Sequence, residues 1–181
     1  FHHQGERAVA AAAHKYGTMF GVSSLGTVSL EEVRRIAPGP QVYQFYFHKD
    51  RGLNRAMLQR AREAGINVMM LTVDSITGGN RERDLQTGFS IPFRLTLGGM
   101  LQFAIRPAWA LNYLTHEKFR LPQLDEHVDM SGGAMSIGRY FTEMLDPGMN
   151  WDDVAEMVRG WNGQFCLKGV MSVAEIGRAH V

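Results

Sequence analysis

Short apolar runs recur along this chain, and each of them stops at polar residues. They occupy residues 18–22, 42–47, 66–74 and 164–170. A short apolar run that is bounded by glycine, proline or serine is typical of a strand buried on both faces. Such strands occur in parallel sheets that are covered by helices. The pattern therefore predicts four strands of a parallel sheet.

Helix signals separate these strands. Ser29 lies three residues before Glu32, which is the spacing of a capping box. Asp50 and Asn150 are residues of the type that favours the N-cap position. We predict helices at residues 6–16, 30–36, 51–64 and 151–161, and a further helix that begins at Ser172.

The alternation of strands and helices predicts an α/β fold. The strand ends at Ser23, Tyr46 and Thr72 are 23 and 26 residues apart, which fits repeated right-handed crossovers. Residues 75–149 interrupt this rhythm as a long insertion that holds four of the six prolines. The residues leave open half of a (β/α)8 barrel or part of a doubly wound sheet. No Gly-x-Gly-x-x-Gly follows a strand, which disfavours a dinucleotide-binding sheet.

Composition excludes several classes of protein and partner. The 181 residues are 45% hydrophobic and carry a net charge of +1, so charge gives no reason to expect nucleic acid as a partner. A single cysteine, Cys166, excludes a disulfide framework and suits a reducing, cytoplasmic compartment. The histidines show no ligand spacing, so we expect no metal site. No apolar stretch has the length of a membrane span.

The predicted strand ends carry an unusual set of polar side chains. They are Ser23, Gln44, Tyr46, Thr72, Asp74 and Lys168, with Arg81 on the loop that follows the third strand. Functional residues collect at the carboxyl ends of the strands in parallel sheets. Each residue also has an ordinary explanation, because hydroxyls cap turns, tyrosine suits strands, and Asp74 and Arg81 can pair with each other. The set as a whole suits a planar polar heterocycle and a carboxylate substrate.

Several motifs resemble one enzyme family when they are taken in order. These are His3-Gln-Gly-Glu6, Ser23-Ser24, Gln44-Phe-Tyr46, Leu71-Thr-Val-Asp74, Arg81-Glu82 and Leu167-Lys-Gly-Val170. Together they resemble the FMN-dependent 2-hydroxy acid dehydrogenases and oxidases, from about residue 2 to residue 174. The resemblance implies a (β/α)8 TIM barrel of which about half, strands two to five, is present. Residues 75–149 would then be an insertion after the fourth barrel strand.

The resemblance implies a role for each of the strand-end residues. The residues that match flavin-binding positions are Ser23, Gln44, Thr72 and Lys168, and the lysine is the one that stabilises the reduced flavin anion. Tyr46 matches a tyrosine near the substrate hydroxyl, and Arg81 matches one of two arginines that bind the substrate carboxylate. Asp74 matches the aspartate that orients the catalytic histidine, as a triad aspartate orients its histidine.

The resemblance also predicts what lies outside the chain. In the family, the histidine base and a second arginine lie on and near a Ser-x-His-Gly segment after the sixth strand, and this sequence does not contain that segment. We therefore expect the 181 residues to be an internal fragment that is inactive alone. Residues 175–181 look like the translation of a sequencing-adapter oligonucleotide, and we expect them to be a non-native tail.

We expect the parent enzyme to oxidise an L-2-hydroxy acid, with L-lactate to pyruvate as the main candidate. Within the family, the insertion is most similar to that of bacterial L-lactate dehydrogenases, which pass electrons to a quinone or cytochrome of the respiratory chain. An oxygen-dependent 2-hydroxy acid oxidase is the alternative in the same family. A flavin-binding or non-catalytic barrel half is an alternative of a different class. Without the resemblance, a phosphate-binding barrel enzyme such as an isomerase or aldolase also remains open.

One segment of the insertion, residues 93–114, is rich in apolar and aromatic side chains. Arg94, Arg106 and Pro107 exclude a spanning helix. The segment predicts either a peripheral contact with the inner face of the cytoplasmic membrane or a lid or oligomer contact packed on the barrel. We also expect the full-length enzyme to be a homo-oligomer.

Overall fold

The sheet of this protein is parallel throughout. The computed structural model describes residues 3–75, 82–87, 96–116, 120–124 and 143–179. Its strands are β1 (Phe20–Ser23), β2 (Gln41–Tyr46), β3 (Val68–Thr72) and β4 (Gln164–Lys168), and they lie side by side in that order. Each strand pairs with its neighbour in sequence, without the reversal of strand order that marks a doubly wound sheet. This is the arrangement of half of a (β/α)8 barrel, as predicted.

Helices precede and follow these strands. They are α1 (Glu6–Lys15), α2 (Leu30–Ile36), α3 (Arg51–Glu63), α4 (Glu82–Thr87), α5 (Leu97–Ala104), α6 (Pro107–Thr115), α7 (Trp151–Trp161) and α8 (Val173–Ala179). The carboxylate of Asp50 caps α3 by accepting hydrogen bonds from the backbone of Gly52 and Leu53. Asn150 and Asp153 form a reciprocal capping box at the start of α7. The predicted helix starts are therefore confirmed at both positions.

Two local predictions need correction. The capping box predicted at the start of α2 forms only in part: Ser29 Oγ accepts from the Glu32 backbone, but the Glu32 carboxylate pairs with Arg7 at 2.6 Å. The hydrogen bond from Arg7 holds the pKa of Glu32 below its usual value. The third strand is also shorter than predicted, because β3 begins at Val68, whereas Ile66 packs into the core ahead of the strand.

The hydrophobic core lies between the sheet and the layer of helices. Alternate strand residues face this side and are almost fully buried, as Tyr43 and Phe45 show for β2. The helices contribute their apolar stripes, and the buried members are Ala10, Ala13, Leu30, Val33, Leu53, Met57, Ala61, Val154, Met157 and Trp161. The other face of the sheet carries the intervening residues and is more open, so polar side chains can collect there.

Part of the long insertion is built into this core. Gln123 is 1% exposed, its Nε2 donates to the Ser23 carbonyl at 2.7 Å, and its Oε1 accepts from the Tyr43 hydroxyl at 3.1 Å. Leu121 and Leu124 on either side are also buried. Burying an amide side chain is tolerated when both of its ends are hydrogen-bonded, as they are here. The insertion is thereby joined to the end of β1.

A second polar group is buried just beyond β2. His48 is fully buried, and Oδ1 of Asn54 lies 2.9 Å from its backbone nitrogen and 3.0 Å from its ring Nδ1. Asn54 Nδ2 donates in return to the His48 carbonyl. Burial disfavours the imidazolium and lowers the pKa of His48 to about 4. The ring is therefore neutral in the folded protein at neutral pH.

We predict that His48 makes the fold acid-sensitive. In the unfolded chain the ring takes up a proton near pH 6.5, but in the folded chain only near pH 4. The stability that the neutral His48 ring contributes is therefore fully present above pH 6.5. As the pH falls from 6.5 to 4, the free energy of unfolding decreases by about 3 kcal/mol at most. Thermal unfolding of the wild type and of His48→Gln between pH 7 and pH 4 measures this difference. A variant that loses stability as steeply as the wild type would contradict the assignment.

Candidate active site

The carboxyl ends of the strands bring the predicted residues together. Ser23 is in register with Gln44, and Tyr46 is in register with Thr72, which is in turn in register with Lys168. Alternate residues of a strand share a face, so these five side chains all belong to the face opposite the helix layer. The sheet therefore presents one row of polar side chains along the carboxyl ends of its strands.

Three of these side chains form a hydrogen-bonded chain across β1, β2 and β3. The hydroxyl of Ser23 donates to Gln44 Oε1 at 3.4 Å, and Gln44 Nε2 donates to Thr72 Oγ1 at 2.7 Å. The backbone N–H of Leu25 donates to Ser23 Oγ at 3.1 Å. These contacts fix the plane and direction of the Gln44 amide. Within the described residues, one N–H group of the Gln44 amide donates to Thr72, and the second N–H group is left for a ligand.

Lys168 and Asp74 lie at the neighbouring strand ends. Lys168 Nζ is 3.7 Å from Asp74 Oδ1, and the two side chains are 48% and 38% exposed. An ion pair this open to solvent adds little to stability. The sequence predicted separate roles for the two residues, and the structure adds that their charges are adjacent. The pair brings an ammonium group and a carboxylate to the same edge of the sheet.

Gly169 sets the position of the Asp74 carboxylate. Its φ of +98° is a backbone conformation that L side chains rarely adopt. A methyl group added at Gly169 would overlap the carboxyl carbon and the Cβ of Asp74. The carboxylate can therefore lie against the backbone after β4 only because this residue is glycine. Gly169 belongs to the motif Leu167-Lys-Gly-Val170, but local sequence carries no signal for its contact with Asp74, which lies 95 residues away.

A small cavity of about 70 Å³ opens beside Tyr46 and Thr72. Strand-end residues form one side of it, and the end of the insertion forms the other, through Leu145, Asp146 and Met149. Sequence analysis did not connect these two parts of the chain. A separation of about 100 residues leaves no local signal for such a contact.

Some predicted features are not part of the described geometry. Arg81 lies outside the described residues. Cys166 is partly buried on β4, and burial raises the pKa of its thiol, so the thiol stays protonated at neutral pH.

Among the residues that the structure describes, no group of three or more His, Cys, Asp or Glu side chains could hold a metal ion. Within those same residues, no helix has the length and apolar character needed to cross a membrane.

Comparison with known proteins identifies the family. Residues 1–180 match the FMN-dependent dehydrogenase family. The chain belongs to this family. A relative from Mycobacterium tuberculosis, a putative L-lactate dehydrogenase, is 33% identical over 95% of this chain and 40% of its own length. An L-lactate oxidase from Nostoc is 34% identical over 98% of this chain and 44% of its own length.

Solved structures of FMN-dependent dehydrogenase relatives share the fold. The monotopic membrane protein (S)-mandelate dehydrogenase superposes with a TM-score of 0.86 at 26% identity, over 98% of this chain and 47% of that protein. A mandelate oxidase superposes with a TM-score of 0.70 at 24% identity, over 99% and 42% of the two chains. The chain spans about two fifths of the length of the curated relatives it matches.

The row of polar side chains fits FMN, the cofactor of this family. The flavin ring carries a planar imide that offers both a donor and acceptors, and the Gln44 amide offers the complementary groups. Thr72 and Ser23 add hydroxyls on either side of that amide. Lys168 adds a positive charge at the end of the row, where it can stabilise a developing negative charge. The donor set is therefore of the kind that an FMN-dependent dehydrogenase needs.

We predict that Gly169→Ala displaces Asp74 and destabilises the protein by about 1–3 kcal/mol, because it adds both backbone strain and a steric overlap. Gly160→Ala on α7 is the control, since a methyl group there meets nothing within 4 Å. Thermal or urea unfolding measures both variants. The double variant Gly169→Ala/Asp74→Ala should recover part of the loss. Equal effects of Gly169→Ala with and without Asp74 would contradict the steric account.

Proposed function

We propose that this chain supplies the flavin-binding half of an enzyme that oxidises an L-2-hydroxy acid, with L-lactate to pyruvate as the favoured reaction. The observation that carries the proposal is the row Ser23–Gln44–Thr72, which ends at Lys168. Relatives that are L-lactate dehydrogenases support the choice of substrate. Because the chain spans about two fifths of its curated relatives, all assays below use the protein encoded by the complete open reading frame.

The strand-end residues hold and tune the cofactor in this proposal. Bound FMN supplies a two-electron acceptor for the substrate. The Gln44 amide, which Ser23 and Thr72 hold in place, would orient the flavin ring. Lys168 would supply a positive charge that stabilises negative charge on the cofactor and so favours its reduction. Asp74, at 3.7 Å, keeps the lysine side chain at that edge of the sheet.

A second group of residues acts on the substrate in this proposal. Tyr46 lies at the end of β2 beside the small cavity and hydrogen-bonds the substrate hydroxyl. Arg81 binds the substrate carboxylate through a bidentate pair. Asp74 orients a histidine base and stabilises its protonated form. His48 does not fit the role of this base, because it is fully buried and its ring faces Asn54.

The electron acceptor distinguishes two versions of the proposal. The dehydrogenase passes electrons to a quinone or cytochrome, whereas an oxidase passes them to oxygen. The oxidase version is the second candidate because the Nostoc relative is an L-lactate oxidase. Oxygen consumption and quinone reduction are measured side by side with L-lactate as the electron donor. Turnover with the quinone but slow oxygen consumption supports the dehydrogenase, and the reverse supports the oxidase.

We predict that Lys168→Met lowers the reduction potential of bound FMN. One unit charge near another at a protein surface contributes about 1–4 kcal/mol, which is about 20–90 mV for a two-electron couple. Equilibration with reference dyes measures the potential. Lys15→Met on α1 is the control, because Lys15 lies beside Tyr16, away from the strand ends. If the reduction potential is unchanged in Lys168→Met while FMN is still bound, Lys168 does not act on the flavin.

We further propose that helices α5 and α6 contact the membrane surface. Their apolar side chains are exposed, and the most exposed are Leu97, Leu101, Ile105, Leu111 and Leu114. Phe103, Trp109 and Tyr113 stack on one another within the same helical hairpin. An exposed apolar and aromatic surface of this kind suits the membrane interface. The related mandelate dehydrogenase, described as a monotopic membrane protein, supports this proposal.

We predict that Leu101→Asp and Leu114→Asp each weaken membrane binding about ten- to hundred-fold, because a buried leucine contributes about 1.5–3 kcal/mol. Co-sedimentation with phosphatidylethanolamine–phosphatidylglycerol vesicles measures the binding. Val9→Asp, which changes an exposed apolar residue of α1, is the control. If the two leucine variants pellet like the wild type but change the molecular mass in solution, the hairpin is instead an oligomer contact. That result would support the proposed homo-oligomer.

A further inference from the structure

The end of the insertion is held by backbone hydrogen bonds against the segment that follows β2. His48 and Leu145 form an isolated antiparallel bridge. The backbone N–H of Asp146 donates to the Phe47 carbonyl at 3.0 Å, and that of Lys49 donates to the Met144 carbonyl at 2.9 Å. Residues 144–146 therefore run beside the segment that directly follows the predicted substrate tyrosine. We call residues 144–149 the return segment.

Arg51 adds a charged clamp to this backbone pairing. Its Nη2 lies 2.7 Å from Asp146 Oδ2 and 3.3 Å from Asp153 Oδ1, on the return segment and on α7 respectively. Its Nη1 donates to the His48 carbonyl at 2.8 Å. Both carboxylates are largely buried, with 18% and 17% exposure. One guanidinium group thus joins the end of β2, the return segment and α7.

Two residues that contact the Arg51 guanidinium also line the cavity beside Tyr46. The Arg51 guanidinium lies over the Phe47 ring, 4.2 Å from its centroid, and Phe47 and Asp146 both line that cavity. The Asp146 carboxylate also accepts a hydrogen bond from the Gly148 backbone at 2.8 Å. The side chains that complete the wall, Leu145 and Met149, lie on either side of these anchored residues. Arg51 therefore contacts two residues of the cavity wall, Phe47 and Asp146.

We propose that Arg51 is a positioning residue that fixes the return segment beside Tyr46 and so sets the size of the substrate side chain that the enzyme accepts. The proposal rests on the function proposed above. Arg51 itself is 41% exposed and is not among the residues that line the cavity, so it acts through Phe47 and Asp146. An arginine suits this position because its planar fork can serve two carboxylates and stack on an aromatic ring together.

The proposal predicts a change in selectivity as well as a loss of rate. Loosening the wall in Arg51→Met should lower kcat/KM for L-lactate about ten-fold or more, since misplacement by about 1 Å can cost a hundred-fold. L-Mandelate, which has a larger side chain, should lose less, so the ratio of the two kcat/KM values shifts towards mandelate. Arg51→Lys should lie between the wild type and Arg51→Met, because it keeps the charge but not the fork.

Two carboxylate variants test which ion pair of Arg51 sets the ratio of the two kcat/KM values. Asp146→Asn removes the negative charge that pairs with Arg51 at the cavity wall and should shift the selectivity ratio in the same direction as Arg51→Met. Asp153→Asn removes the negative charge on the α7 side but leaves the Asp146 carboxylate in place, and should shift the ratio much less. Both variants keep the size of the side chain, so they serve as independent tests if Arg51→Met does not fold.

Arg60→Met is the matched control. Arg60 lies on the same helix, pairs with Glu31 at 2.7 Å and donates to the Pro122 carbonyl at 3.0 Å, and it is not among the residues that line the cavity. It should lower stability without changing the lactate-to-mandelate ratio. If Arg51→Met and Asp146→Asn also leave the ratio unchanged in active, FMN-loaded enzyme, the inference is overturned. If the wild type oxidises no 2-hydroxy acid, the proposed function fails instead.

Discussion

The candidate site depends on the register of β2 between its two neighbours. Pairing of Ser23 with Gln44, and of Tyr46 with Thr72, places the Gln44 amide within hydrogen-bonding distance of a hydroxyl on each side. A shift of one residue would turn every side chain of β2 to the opposite face and would bury the amide against the helices. The core prevents that shift, because Tyr43 and Phe45 are fully buried on the helix side. The same residues that stabilise the fold therefore orient the polar row.

The insertion contacts the strand ends and contributes to the structure around the candidate site. In the part of the insertion that the structure describes, Gln123 joins it to the end of β1 and the return segment joins it to the residues that follow β2. Both contacts use hydrogen-bonded polar groups in buried surroundings, where an unsatisfied partner is costly. The insertion is thus part of the structure around the site. Its apolar hairpin, α5 and α6, is in contrast largely exposed.

The sequence predicted the framework well and the long-range contacts poorly. Strand and helix positions follow from apolar runs and local caps, which act over a few residues, so α7 and its N-cap at Asn150 are confirmed. The predicted pairing of Ser29 with Glu32 formed only in part because Arg7, 25 residues away, takes the carboxylate. The Lys168–Asp74 pair, the Gln123 contacts and the ion pairs of Arg51 all join residues about 80 to 100 apart. Local patterns carry no information about such partners.

The assignment of FMN oxidoreductase chemistry to the strand ends is tested most directly by the spectrum of the enzyme encoded by the complete reading frame. The purified protein should contain FMN in equimolar amount. Anaerobic addition of L-lactate should bleach the visible flavin absorption, and the product should be pyruvate. A protein that binds no FMN, or whose bound FMN stays oxidised with every 2-hydroxy acid supplied, would contradict the account.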